Sequence, residues 1–213
     1  MNACLWCEEP CVRLYCSTRC RQSAWRLRRI GELERSDGSR LRMCYADPPY
    51  PGCEWMYFDE DDYREEVVDV SNLVKSFKQY DGWALSTSAK ALRDVLRVCP
   101  EEARVAAWVK PIGAWSGTRG LHNCWEPLIV VPGRRLRPGK RDWLAAQPAR
   151  GNGTLIGRKP LAFCAWLFGL LGLLPGDELV DLFPGTGIVG RTWSLLSSSA
   201  VVAKRSTLRK EMG

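Results

Sequence analysis

Asp47, Pro48, Pro49 and Tyr50 stand in a row behind an apolar run at residues 41–46, and no other tetrapeptide of the chain combines residues so suited to chemistry. The two prolines remove two backbone donors and stiffen the segment, which leaves neighbouring carbonyls as acceptors and holds the Asp47 and Tyr50 side chains in place. Such a loop is a rigid acceptor clamp. An aromatic amine has its lone pair delocalised into the ring. Two acceptors, the Asp47 carboxylate and the Pro48 carbonyl, would bind its two hydrogens and favour a geometry in which the nitrogen can attack. Tyr50 would stack on a base drawn out of its duplex. The same four residues also make a serviceable turn, so alone they do not decide.

A second motif, Asp181-Leu182-Phe183-Pro184-Gly185-Thr186-Gly187, follows the apolar pair Leu179-Val180 and precedes a segment, residues 188–196, that reads as a helix. Strand, glycine turn and helix make a nucleotide-cradling arrangement, because glycines let the backbone turn sharply and approach a ligand while the helix start offers free amides. With both motifs present, the chain resembles the S-adenosylmethionine-dependent amino-methyltransferases that act on adenine N6 or cytosine N4 in DNA, whose signatures are a D/S-P-P-Y catalytic loop and a D-x-F-x-G-x-G cofactor loop. The catalytic loop precedes the cofactor loop here, as in the permuted β-type members. Those enzymes carry a Lys-Pro element ahead of a helix before the cofactor strand, and Gly157-Arg158-Lys159-Pro160 sits in that place. Residues 125–131, beginning Trp125-Glu126, resemble loosely a family strand that opens with an acidic residue.

The resemblance spans roughly residues 41–193 and implies an α/β fold, a Rossmann-like class I methyltransferase sheet flanked by helices. It implies catalytic roles for Asp47, Pro48, Pro49 and Tyr50, and cofactor contacts from Lys159, Pro160, Asp181, Phe183, Gly185, Thr186 and Gly187. Aspartate at the head of the tetrapeptide favours adenine, since cytosine-N4 relatives commonly carry serine there. The implied partner is double-stranded DNA with the target base flipped.

Ten cysteines without an opening secretory pattern argue for metal or reduced thiols rather than a disulfide framework. Cys4, Cys7, Cys16 and Cys20 make two closely spaced pairs around a turn containing Pro10, and four thiolates so placed can close a tetrahedral zinc site, with Cys11 as a spare ligand. The segment from Tyr15 to Arg26 resembles small bacterial and phage zinc modules with a C-S-x-x-C-R-Q helix start. Ser17 would cap that helix, and Arg19, Arg21, Arg26, Arg28 and Arg29 would make it basic. Cys44, Cys53, Cys99, Cys124 and Cys164 are scattered, which suits small buried hydrophobes.

These motifs need elements to carry them. We expect a zinc module over residues 1–35 and a catalytic domain over 36–213, with strands at residues 41–46, 82–87 and 104–109 and helices at 70–80, 89–98 and 161–174, the last ended by Pro175-Gly176. Such alternation implies a mostly parallel sheet. Residues 112–156, rich in glycine, tryptophan and arginine, would hold a small target-recognition segment, with Arg134, Arg135, Arg137, Lys140 and Arg141 as a phosphate-contacting loop. Trp115 and Trp125 suit the core, and His122 has no chemical task in this scheme.

Composition agrees with an enzyme that meets a polyanion. The 213 residues are 46% hydrophobic, with a net charge of +7 and a pI near 9.0. The apolar run at 161–174 is shorter than the ~18 residues a membrane span requires, so no membrane role and a cytoplasmic setting, bacterial or phage-infected, are expected. The expected activity is adenine-N6 methylation of DNA; cytosine-N4 or RNA adenine methylation, and a catalytically inactive zinc-containing nucleic-acid-binding protein of the same fold, are the alternatives. One departure stands out. Relatives follow the cofactor helix with a strand ending in an acidic residue that bonds the cofactor ribose, whereas the apolar residues 200–203 lead here to Lys204, so weak cofactor binding is expected.

Overall fold

A computed structural model describes residues 2–3, 10–11, 40–50, 68–111, 124–136, 138–149 and 158–197. Its centre is a six-stranded sheet built from β3 (Arg42–Ala46), β4 (Gly82–Ser86), β5 (Arg104–Val109), β6 (Trp125–Val131), β7 (Trp143–Ala145) and β8 (Glu178–Asp181), in the order β7-β5-β6-β4-β3-β8. The strands β3, β4 and β8 are mutually parallel neighbours, β7 lies parallel to β5, and β6 runs against both β4 and β5. The mostly parallel sheet expected from the sequence is thus present, with one reversed strand inserted. Near the amino terminus, β1 (Asn2–Ala3) pairs antiparallel with β2 (Pro10–Cys11).

The strands alternate strictly in what they bury, as the two-residue period of an extended chain requires. Met43, Tyr45, Ala84, Ala106, Trp108, Leu128 and Val130 face one core, shared with α3 (Leu161–Leu171) and α4 (residues 188–197). Cys44, Ala46, Trp83, Leu85 and Ile129 face the other, shared with α1 (Val70–Ser76) and α2 (Leu92–Leu96). Helices on both faces of a mostly parallel sheet make this the Rossmann-like α/β layering.

Local sequence accounts for most element ends. Asp69 caps α1 by accepting from the amides of Ser71 at 2.9 Å and Asn72 at 3.2 Å, and the helix tightens into a 3-10 turn over Phe77–Gln79 instead of continuing to residue 80. α2 is shorter than expected, because residues 89–91 form a turn ahead of it. Apolar on every side, α3 is buried along most of its length, as such a helix must be. It stops at Gly172, whose left-handed φ of 74° closes it, rather than at Pro175-Gly176. Among the described residues no helix is long and apolar enough to cross a membrane.

Asp177 locks the amino-terminal edge of the sheet. Its side chain is fully buried and accepts from the amide of Leu41 at 3.1 Å, the amide of Leu174 at 2.7 Å and Arg134 Nη1 at 2.5 Å. Its carbonyl accepts from Trp193 Nε1 at 3.3 Å. One carboxylate thereby joins the entrance of β3, the exit of α3 and the loop after β6, and fixes the register that places the two motif loops side by side.

Candidate active site

Five strands point the same way, so their carboxyl ends share one edge of the sheet, where open α/β sheets collect ligands. Asp47 leaves β3 at that edge and Asp181 ends β8 there, with Tyr45 and Asp181 in register. The two motif loops are therefore adjacent. Lys110 follows β5 at the same edge. Because β6 is reversed, its beginning rather than its end lies here, and Glu126 is set directly opposite Trp108. Lys159 precedes α3, whose N-cap Pro160 is extended at φ −75°, ψ 157°.

Two side chains hold Asp47, and Glu126 and Lys110 extend the network. Tyr50 donates its hydroxyl to Asp47 Oδ1 at 3.0 Å, and Lys159 Nζ lies 3.1 Å from Asp47 Oδ2. The same ammonium donates to Glu126 Oε2 at 2.9 Å, and Lys110 donates to Glu126 Oε1. The Tyr50 hydroxyl also passes 3.4 Å from Glu126 Oε2, but its single hydrogen goes to the nearer Asp47. Beneath them the fully buried Trp108 ring offers its face to both ammoniums, at 4.9 Å from Lys110 and 5.1 Å from Lys159.

The electrostatics follow from this packing. Burial alone would push the Lys159 ammonium toward losing its proton, but Asp47 and Glu126 outweigh it and hold its pKa above the ordinary lysine value. Burial pushes the Glu126 carboxyl up, Lys159 and Lys110 pull it down, and the lysines prevail. The Tyr50 phenol is held well above its usual range by burial, then by Asp47 and Glu126. Lys159 is accordingly a fixed cation and no proton acceptor, and Tyr50 a hydrogen-bond donor.

Asp181 is different. Burial first, then the nearby Asp47, raise its carboxyl to about 6 even though the amides of Phe183 and Gly190 favour its ionised form. Its Oδ1 is buried without a hydrogen-bond partner among the described residues, a costly arrangement that marks a place for a donor, above all a cationic one. Beyond it the chain turns through Gly185 and Gly187, with left-handed φ values of 47° and 68° that residues with side chains rarely adopt. The Gly187 amide closes the turn on the Pro184 carbonyl at 2.6 Å, α4 begins at residue 188, and Arg191 folds back to the Thr186 carbonyl at 2.8 Å. Phe183 packs sideways against the core under α1 and α2.

The basic loop is placed elsewhere. β6 ends and β7 begins at the amino-terminal edge of the parallel strands, so Arg134, Arg135, Lys140 and Arg141 lie across the sheet from Asp47. Arg134 is bound to Asp177 and to the Gly172 carbonyl at 2.8 Å, and Arg141 lies 5.6 Å from the ring centre of the half-exposed Trp143. The reversed β6 carries the chain to this far edge. Arg137, Trp115, His122, Cys53, residues 200–204 and the proposed ligands Cys4, Cys7, Cys16 and Cys20 lie outside the described residues. Among the described residues no group of three or more His, Cys, Asp or Glu side chains could hold a metal ion. Cys44 and Cys164 are the small buried hydrophobes expected, burial holding each thiol up at about 12.

No family model and no curated protein matches the sequence. Among solved structures the chain is similar to the crystal structure of the M1.HpyAVI–SAM complex, at 13% sequence identity and a TM-score of 0.46, over 81% of this chain and 84% of that one. It is also similar to the crystal structure of M1.HpyAVI, at 14% identity and a TM-score of 0.42, over 82% and 84% of the two chains. Identity this low leaves the chemistry to be judged from the side chains themselves.

Proposed function

We propose that the protein is an S-adenosylmethionine-dependent methyltransferase acting on an exocyclic amine, with adenine N6 in double-stranded DNA as its substrate. The observation that carries this reading is the adjacency of Asp47-Pro48-Pro49-Tyr50 to Asp181 and its glycine turn on neighbouring parallel strands. The unpartnered Asp181 Oδ1 fits the ammonium of the cofactor's amino-acid portion, and the open turn at Gly185, where an added Cβ would meet nothing within 4 Å, leaves room beside it. S-adenosylmethionine, when bound, supplies an electrophilic methyl whose sulfur leaves as a neutral thioether. Asp47 and the Pro48 carbonyl accept the hydrogens of the incoming amine and orient its nitrogen, Tyr50 steadies Asp47 and offers its ring to the flipped base, and the amine gives up one proton after transfer.

The amino-terminal cysteines complete the reading. Cys4, Cys7, Cys16 and Cys20 hold zinc in a basic module that meets DNA, a reading supported by their spacing in the sequence.

The test is methyl transfer itself. Purified protein is incubated with S-adenosylmethionine bearing an isotopically labelled methyl and with unmethylated double-stranded DNA, and the digested nucleosides are read by mass spectrometry. Label in N6-methyladenine is the expected outcome. Label in N4-methylcytosine or only in RNA would change the substrate, and cofactor binding without label in any nucleic acid would leave the inactive nucleic-acid-binding alternative.

A further inference from the structure

Asp47 is already engaged on both oxygens, one by Tyr50 and one by Lys159, in the absence of any substrate. An amine that needs Asp47 as its acceptor must share it with a buried ammonium. That ammonium lies 3.1 Å from Asp47 but 2.9 Å from Glu126, and only 8% of the Lys159 side chain is exposed, so water cannot relieve the competition. Glu126 is itself held from its other oxygen by Lys110, a residue equally withdrawn from solvent. Two ammoniums therefore face two carboxylates around one ring, that of Trp108.

On the reading that Asp47 receives the amine, we infer that Glu126 is a positioning residue: it draws Lys159 away from Asp47 and so keeps that carboxylate available to the substrate. Lys110 is the counterweight that keeps Glu126 ionised and in place. Without the Glu126 charge, two buried ammoniums would have Asp47 as the one carboxylate of this network, and Lys159 would settle on it. Bonds to charged groups contribute about 1.5 to 3 kcal/mol, which corresponds to about ten- to a hundredfold in rate if the amine must displace that contact.

Nothing in this role requires Glu126 to touch cofactor or substrate. It would act on the rate of transfer and not on cofactor affinity. A structural role alone would lower folding stability, affinity and rate together.

The experiment compares wild type with Glu126→Gln, which keeps the shape and removes the charge, and with Glu126→Gln/Lys110→Met, which restores the balance of one ammonium to one carboxylate. Three readouts are taken: cofactor affinity by calorimetry, single-turnover transfer to DNA, and the titration of the Lys159 ammonium followed by NMR on lysine labelled at Nζ. Glu126→Gln should bind cofactor within about threefold of wild type, transfer about ten- to a hundredfold more slowly, and lose its Lys159 proton at lower pH. Adding Lys110→Met should relieve the unbalanced charge but leave the rate low, because Lys159 still has Asp47 as its carboxylate in this network.

Equal Lys159 titration in wild type and Glu126→Gln overturns the inference, whether or not methyl is transferred. An unchanged transfer rate in Glu126→Gln overturns it as well. If the single variant fails to fold while the double variant folds, the double variant must still show the Lys159 shift, and its absence there counts against the inference. A wild type that transfers nothing, yet in which Lys159 depends on Glu126, supports the charge coupling and overturns the proposed activity alone.

Discussion

Tyr50 donates to Asp47 across three residues at 3.0 Å, so the tetrapeptide braces itself before substrate arrives. Removing the hydroxyl while keeping the ring separates bracing from stacking. Tyr50→Phe should slow methyl transfer by about tenfold, the scale of one hydrogen bond to a charged group, with the fold intact. Tyr50→Ala and Asp47→Ala should abolish transfer while circular dichroism shows the fold retained, Asp47→Ala with a lower melting temperature because the buried Lys159 then has Glu126 alone. Wild-type rates in Asp47→Ala would sink the clamp.

Asp181 sets a pH dependence. Its carboxyl is raised to about 6, above the ordinary carboxylate value of 3.8, so the stability it contributes is complete below the ordinary value and lost as pH rises through about 6. At neutral pH the folded protein thus holds an ionised, incompletely partnered carboxylate that a bound cation would relieve. Affinity for S-adenosylmethionine should be level around pH 7 and fall by up to about tenfold per unit below about 6, because a proton then competes for the same oxygen. Calorimetric titrations across that range check it, with Asp181→Asn as the flat control. An affinity that holds constant down to about pH 5 contradicts the assignment.

Asp177 governs stability instead of chemistry. Its side chain has 0% exposure and ties three segments together. Asp177→Asn removes the buried charge that Arg134 pairs with and that three segments share, and should cost about 3 to 5 kcal/mol by urea denaturation. Adding Arg134→Met should recover part of the loss, because a buried pair removed whole is cheaper than a pair broken. A loss below about 1 kcal/mol in the single variant would show that the carboxylate is not the lock described.

Zinc is checked by elemental analysis of protein purified without chelator, with one ion per chain expected. Cys4→Ser or Cys20→Ser should release it and weaken DNA affinity more than cofactor affinity. Metal-free protein that binds DNA normally would remove the module from the account.

The strands were legible because apolar runs, glycines and prolines punctuate this chain clearly: β5 and β6 occupy the residues expected, and Asp47 and Asp181 reach the same edge. The acidic start at Glu126 was visible, but its partners were not. Lys110 meets Glu126 only because β6 runs backwards and sets Trp108 opposite it, and strand direction leaves no trace in hydrophobic periodicity. The surroundings of Arg134 were hidden for a related reason. Arginines among turn residues look solvated, yet Arg134 finds a buried carboxylate 43 positions away. Gly172 was passed over as the end of α3 because Pro175-Gly176 is the louder signal, although a single left-handed glycine suffices.

The reversal of β6 also divides the molecule for an engineer. The described residues flanking 51–67, 112–123 and 150–157 all stand on the catalytic side of the sheet, while the turn at Gly139 sits on the other, exposed and with open space around it. Libraries aimed at changing which substrate is accepted belong among the described residues of that catalytic side, and reporters, tethers or fused domains belong at Gly139. The two kinds of modification can be combined in one chain without competing for the same surface.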